Sequence, residues 1–119
     1  MPISLPTATT TVPTARQTPA APTYASVVNG ALPGEIIATV NVPTLDDLAA
    51  PLVSPNLVTS IIIFWSETAF PVGTISDYLA LDPNIFFRAN AVVAGPTVIF
   101  NITGTIPGAT LYIQTGAYN

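Results

Sequence analysis

The sequence predicts an all-β fold: a small antiparallel β-sandwich, a jelly roll being one arrangement of it, with an extended N-terminal arm. Three observations carry this expectation. From residue 23 onward, short runs rich in Val, Ile, Thr and aromatic residues alternate with Gly, Pro and Asn turns, the signature of sandwich strands. Residues 1–22 hold five Pro, six Thr and four Ala, with no Gly and no aromatic residue, so they cannot build a core. Half of the 119 residues are hydrophobic, enough for a core behind the strands.

The arm comes first. Each Pro fixes φ, removes a backbone donor and biases the residue before it toward extended geometry. Residues 1–22 therefore read as an extended segment of polyproline character, neither helix nor flexible Gly/Ser linker. Ile3, Leu5 and Val12 are spaced apolar anchors suited to contacts with a neighbouring subunit. The β-sandwich domain is expected over residues 23–119.

Tyr24–Val28 is the first predicted strand, ended by Asn29-Gly30. Glu35–Val42 is the second, with Ile36, Ala38, Val40 and Val42 on one face. Leu57–Ser66 is the most apolar; from Ile61 to Trp65 both faces are apolar, as in a strand buried on two sides. Ile85–Val93, Thr97–Thr103 and Ala109–Thr115 follow. Their links, Ala94-Gly95-Pro96 and the run 104–108, are short enough to suggest a three-stranded antiparallel meander. Two helical turns are expected between strands. Thr44-Leu45-Asp46-Asp47 has the form of a helix cap, with Thr44 capping and Asp47 reaching back, and Pro51 stops it. The run 76–81 forms the second turn, ended before Pro83.

Composition excludes most chemistry. There is no His and no Cys, hence no Ser-His-Asp triad, imidazole metal site, thiolate nucleophile or disulfide. Two Arg and no Lys cannot neutralise a nucleic-acid backbone. The longest charge-free apolar stretch, 48–66, is interrupted by Pro51 and Pro55 and is no membrane span. The first residues lack a basic region followed by an apolar run, so no secretory signal is expected.

Charge is the most telling quantity. Only 7% of residues are charged, against about 25% in a typical domain. A compact monomer of this mass exposes roughly 6,100 Å². Eight charges on that surface imply that neighbouring subunits cover much of it, or that neutral groups solvate it; the 17 Thr, six Ser and seven Asn supply such groups.

Carboxylates are the only acid–base groups. Glu35 and Glu67 could form a glycosidase pair only if the fold brought them within roughly 5–10 Å. Asp46-Asp47 and Asp77 with Asp82 lack the spacing of a calcium loop. Arg88, in mid-strand, reads as a surface residue paired with a nearby acid, or as half of an intersubunit ion pair. Asn101-Ile102-Thr103 matches a glycosylation sequon but lies inside a predicted strand. Trp65, Tyr112 and Tyr118 could stack on sugars, although packing is the commoner role for such aromatics. No catalytic set, cofactor or metal site is expected.

An extended Pro/Thr arm, a compact β domain and few charges occur together in assembly proteins. In this layout the chain resembles the small capsid cement, or decoration, proteins of tailed bacteriophages. Those often join a β-sandwich or β-tulip domain to an N-terminal arm, and many sit as trimers on the shell. The resemblance covers the layout of the whole chain and transfers no residue roles. It implies a structural virion protein on the outer capsid surface, bound to copies of itself and to a major capsid protein, with no nucleic-acid or membrane partner and no enzymatic activity. Two alternatives stand beside it: a subunit of an extracellular filament such as a pilus or spore appendage, assembling by arm or strand exchange, and a carbohydrate-binding module.

Overall fold

Among the described residues, six antiparallel strands and one short helix follow the residue pattern closely enough that most elements can be traced to their sequence. The structure, a computed structural model, describes residues 5–9 and 16–119. The strands are β1 (Thr23–Asn29), β2 (Ile36–Asn41), β3 (Ser60–Ser66), β4 (Phe87–Val92), β5 (Thr97–Ile102) and β6 (Tyr112–Tyr118); helix α1 (Ile75–Leu79) lies between β3 and β4. They form two three-stranded sheets, ordered β1-β2-β5 and β4-β3-β6. The described chain is thus all-β, in two layers.

The core lies between the sheets. Ala38 and Val40 of β2, Val98, Phe100 and Ile102 of β5, and Ile61 and Ile63 of β3 form one buried cluster with Leu52 and Val58. The alternation expected of β2 and β5 is present: their other residues, such as Ile99 and Asn101, face outward.

Strand β3 is buried on both faces, as its double apolar character predicts. Ile61, Ile62, Ile63 and Phe64 are all at most 1% exposed. The second face is covered by the segment leading from β3 to β4. Tyr78 of α1 meets Phe64 edge-on at 5.5 Å, and Phe70 packs between Tyr78 and Phe86 at 5.2 and 5.1 Å. The Ser66 hydroxyl donates to the Ile85 carbonyl at 2.8 Å, tying the end of the segment down. Ile75 sits over Gly116, where any Cβ would collide with its side chain.

Three expectations need correction. The last three strands are not a meander: β4 and β6 flank β3 in one sheet, while β5 pairs with β2 in the other. The link after β4 crosses between layers. Val93 N–H bonds the Thr59 carbonyl, and the Pro96 carbonyl already accepts from Val42 in the other sheet. Four residue steps reach about 13 Å, enough to span sheets packed about 10 Å apart, and Pro96 has no N–H for a hairpin.

The Thr44 pattern is not a helix cap. Asp46 instead accepts from Leu48 N–H and Ala50 N–H, both at 2.9 Å, closing a loop whose Ala49 adopts a left-handed φ of 63°. Leu45 and Asp46 are drawn into single bridges with Pro51 and Pro19. The capping box forms thirty residues later, where Thr74 bonds Asp77 N–H and the Asp77 carboxylate accepts from Thr74 N–H at 2.8 Å.

Strand β6 lies three residues beyond its expected span of 109–115. Ala109 N–H closes a turn onto Ile106, and the ladder with β3 runs from Ser66↔Tyr112 to Ser60↔Tyr118.

Candidate interaction surfaces

The sandwich has two ends. At one end the loops 30–35, 66–68, 84–86 and 103–111 surround a groove. Its two lobes, of about 360 and 480 Å³, share Glu67, Thr105, Ile106 and Leu111. Gly34 joins two of these loops. At φ 76° its carbonyl accepts from both the N–H of Thr105, at 3.1 Å, and its hydroxyl, at 2.7 Å. A side chain there would meet the Thr105 carbonyl, so only Gly permits this approach.

Glu35 and Glu67 both line the first lobe, a juxtaposition their separation in sequence does not foretell. Glu35 lies against Gly30, leaving no room for a Cβ at that glycine. The second lobe is walled by Trp65 and Phe87, whose rings stack at 6.1 Å with planes 26° apart, and by Asn84 and Thr68. Trp65 reaches this wall because it follows the buried run of β3 at the end of the sheet, and the pairing of β3 with β4 sets it opposite Phe87.

The other end carries the base of the arm. Gln17 is its fastener: its amide donates to the Asp46 carboxylate and the Pro51 carbonyl, both at 3.0 Å, and its oxygen accepts from Val53 N–H. Ala20 N–H bonds the Leu45 carbonyl, and Asp47 N–H bonds that of Thr18. Asn119 donates to the Gln17 carbonyl, so the last residue meets the base of the arm here. Asp46 lies at the centre; hydrogen bonds from Ala50 N–H, the Gln17 amide and Leu48 N–H hold its carboxyl below the ordinary aspartate range, against a smaller opposing effect of burial. The residues of the arm segment nearest the domain are therefore fixed to it.

Of the expected arm anchors, Leu5 is 80% exposed, whereas Ile3 and Val12 lie outside the described residues. Arg88 is exposed in β4 and donates to the Leu79 carbonyl at 3.1 Å, where its charge also meets the negative end of α1. Asp77 is held below its ordinary range by the Thr74 N–H and hydroxyl, as a capping carboxylate is. Among the described residues no three carboxylates gather where a cation could be held.

The third surface is the outer side of the sheet β1-β2-β5. Nothing comparable to α1 covers it among the described residues: Val28 and Ile99 are 52% and 67% exposed. Strand β1 is exposed at all seven positions. Tyr24 is the contact across to the opposite sheet, its hydroxyl accepting from Thr115 at 3.3 Å; partial burial pushes its ionisation up, more than that hydrogen bond lowers it. No family model, curated protein or solved structure matches this chain.

Proposed function

We propose that this chain is a structural virion protein, a capsid cement or decoration subunit. It binds the outer surface of a shell through its N-terminal arm and its β domain, as copies of itself, first of all trimers, seated on a major capsid protein. One observation carries the reading: large apolar side chains stand exposed on a surface with almost no charge. Val28 and Ile99, on the outer face of sheet β1-β2-β5, are both more than half exposed, while the whole chain holds six acids and two Arg. Surfaces of this kind are expected to be covered in the working assembly. The scarcity of basic residues favours the outer side of a shell over its genome side.

Contacts built on apolar burial and neutral hydrogen bonds are not screened by salt. In a preparation from the native source, the protein is expected to co-sediment with icosahedral particles and to stay on them through a NaCl series up to about 1 M, where the Debye length is about 3 Å. Its absence from particles, or its recovery in filaments, would overturn the virion assignment. Release by salt would show that the few charges dominate the contact.

A second reading, a carbohydrate-binding module, is favoured by the end groove. There the Trp65–Phe87 pair offers an aromatic wall beside Glu67 and Asn84. A glycan array probed with the free domain tests it.

A further inference from the structure

Strand β1 is an edge with a bulge as its one protection. Among the described residues it pairs with β2 alone, and no described strand bonds the N–H and C=O groups of its other side. Natural edges are guarded by charge, by Pro, by brevity or by bulges. The seven residues Thr-Tyr-Ala-Ser-Val-Val-Asn contain neither a charge nor a Pro, and the one irregularity is a bulge between Tyr24 and Ser26. The other edges differ. Strand β4 carries Arg88 and β6 is largely half-buried or buried; β5 also lacks charge and Pro, but unlike β1 it buries every second residue, Val98, Phe100 and Ile102, in the core. Pairing across from Ala38 turns Val27 toward the interior, yet Val27 is 46% exposed while Ala38 is fully buried. The cover of the core therefore stops short of β1.

The arm contains a segment that fits this edge. Between Pro6 and Pro13 runs Thr7-Ala8-Thr9-Thr10-Thr11-Val12, free of Pro and Gly and rich in β-branched residues. Such a run has strand propensity, and the flanking prolines limit it to six residues. Extended, it measures about 20 Å, close to the roughly 23 Å of a seven-residue strand. No charge precedes Arg16, so the run and the edge are both neutral. Thr7–Thr9 are exposed and outside any strand, whereas the arm is fixed to its own domain only from Arg16 onward among the described residues.

From this juxtaposition we infer that residues 7–12 of one copy add as a fourth strand to the free edge of β1 in a second copy. This deepens the assembly reading and rests on it. Backbone hydrogen bonds supply the affinity, and alternate side chains of the added strand extend the apolar cover over Val27 or Val28.

The absence of Cys from the chain makes the test clean. Single variants Thr9→Cys, Thr10→Cys and Thr11→Cys are each mixed with Ser26→Cys or Val28→Cys and oxidised. Adjacent strands bring facing Cβ atoms within disulfide reach. A disulfide between an arm variant and a β1 variant, found by mass spectrometry at twice the chain mass, is the expected result. Leu48→Cys, at an exposed loop, is expected to give no such product with the arm variants. Val28→Lys is expected to weaken self-association at least about tenfold while thermal unfolding stays unchanged. Absence of any arm–β1 disulfide overturns the inference. So does an intramolecular disulfide in a Thr9→Cys/Val28→Cys double variant that remains monomeric. Neither result touches the shell reading, which stands or falls on co-sedimentation with particles.

Discussion

The two sheets share a core but have opposite outer faces. In sheet β4-β3-β6 the central strand is sealed on both sides: the core covers Ile61 and Ile63, and α1 with Phe70 and Phe86 covers Ile62 and Phe64, while β4 stays exposed at Phe87, Arg88 and Val92. Sheet β1-β2-β5 is sealed on one side, and its outer face and β1 remain open. The difference separates two tasks. The first sheet holds the fold together with its own residues. The second leaves neutral and apolar groups exposed, and these are the groups that the proposed assembly would cover.

The comparison is broken most directly at its strongest point. Phe64→Ala removes a ring wedged between β3 and α1 and is expected to cost about 3–5 kcal/mol in urea unfolding. A loss below about 1 kcal/mol would mean that the cover over β3 contributes little. Gly34→Ala tests the join between the end loops. A Cβ there faces both a left-handed φ and the Thr105 carbonyl, so a loss of about 2 kcal/mol is expected. A neutral result would show that the two loops can part without cost to the sandwich.

A smaller, pH-dependent effect is expected at the arm end. The folded pKa of Asp46 lies below its unfolded value, so its contribution is fully present above the unfolded aspartate range and is lost as pH falls through the folded pKa. Asp46→Asn is expected to be less stable than the parent at pH 7, with the two converging below about pH 4. A difference that stayed constant from pH 7 to pH 2.5 would show that lost packing, and not the charged acceptor, sets the effect.

Much of the sheet with the sealed strand was legible in the residues. The run Ile61–Trp65 announced a strand with two buried faces, and its cover is the segment that begins at Glu67. The second helical turn was placed within a residue or two, although its cap, Thr74 with Asp77, carries the same Thr-x-x-Asp spacing that misled at Thr44. There the spacing lost to tertiary demands: Asp46 was needed by Gln17, Leu48 and Ala50, and Pro51 left no length for a helix. Strand order was not legible, because a short link reads alike whether it turns within a sheet or crosses between sheets. The end groove was hidden for a related reason. Glu35 and Glu67 line one lobe only because β2 begins at the end of the sandwich where β3 ends, which no local pattern records.

On the proposed reading the open sheet, and β1 above all, is where other chains attach. Hydrogen exchange followed residue by residue in the free protein and in its native assembly tests it directly. Those amides of Thr23–Asn29 that point away from β2 are expected to exchange quickly in the free chain and to gain protection on assembly, while those of Ile61–Phe64 are slow in both states. Unchanged exchange across β1, with new protection confined to the end groove or to the α1 face, would contradict the claim.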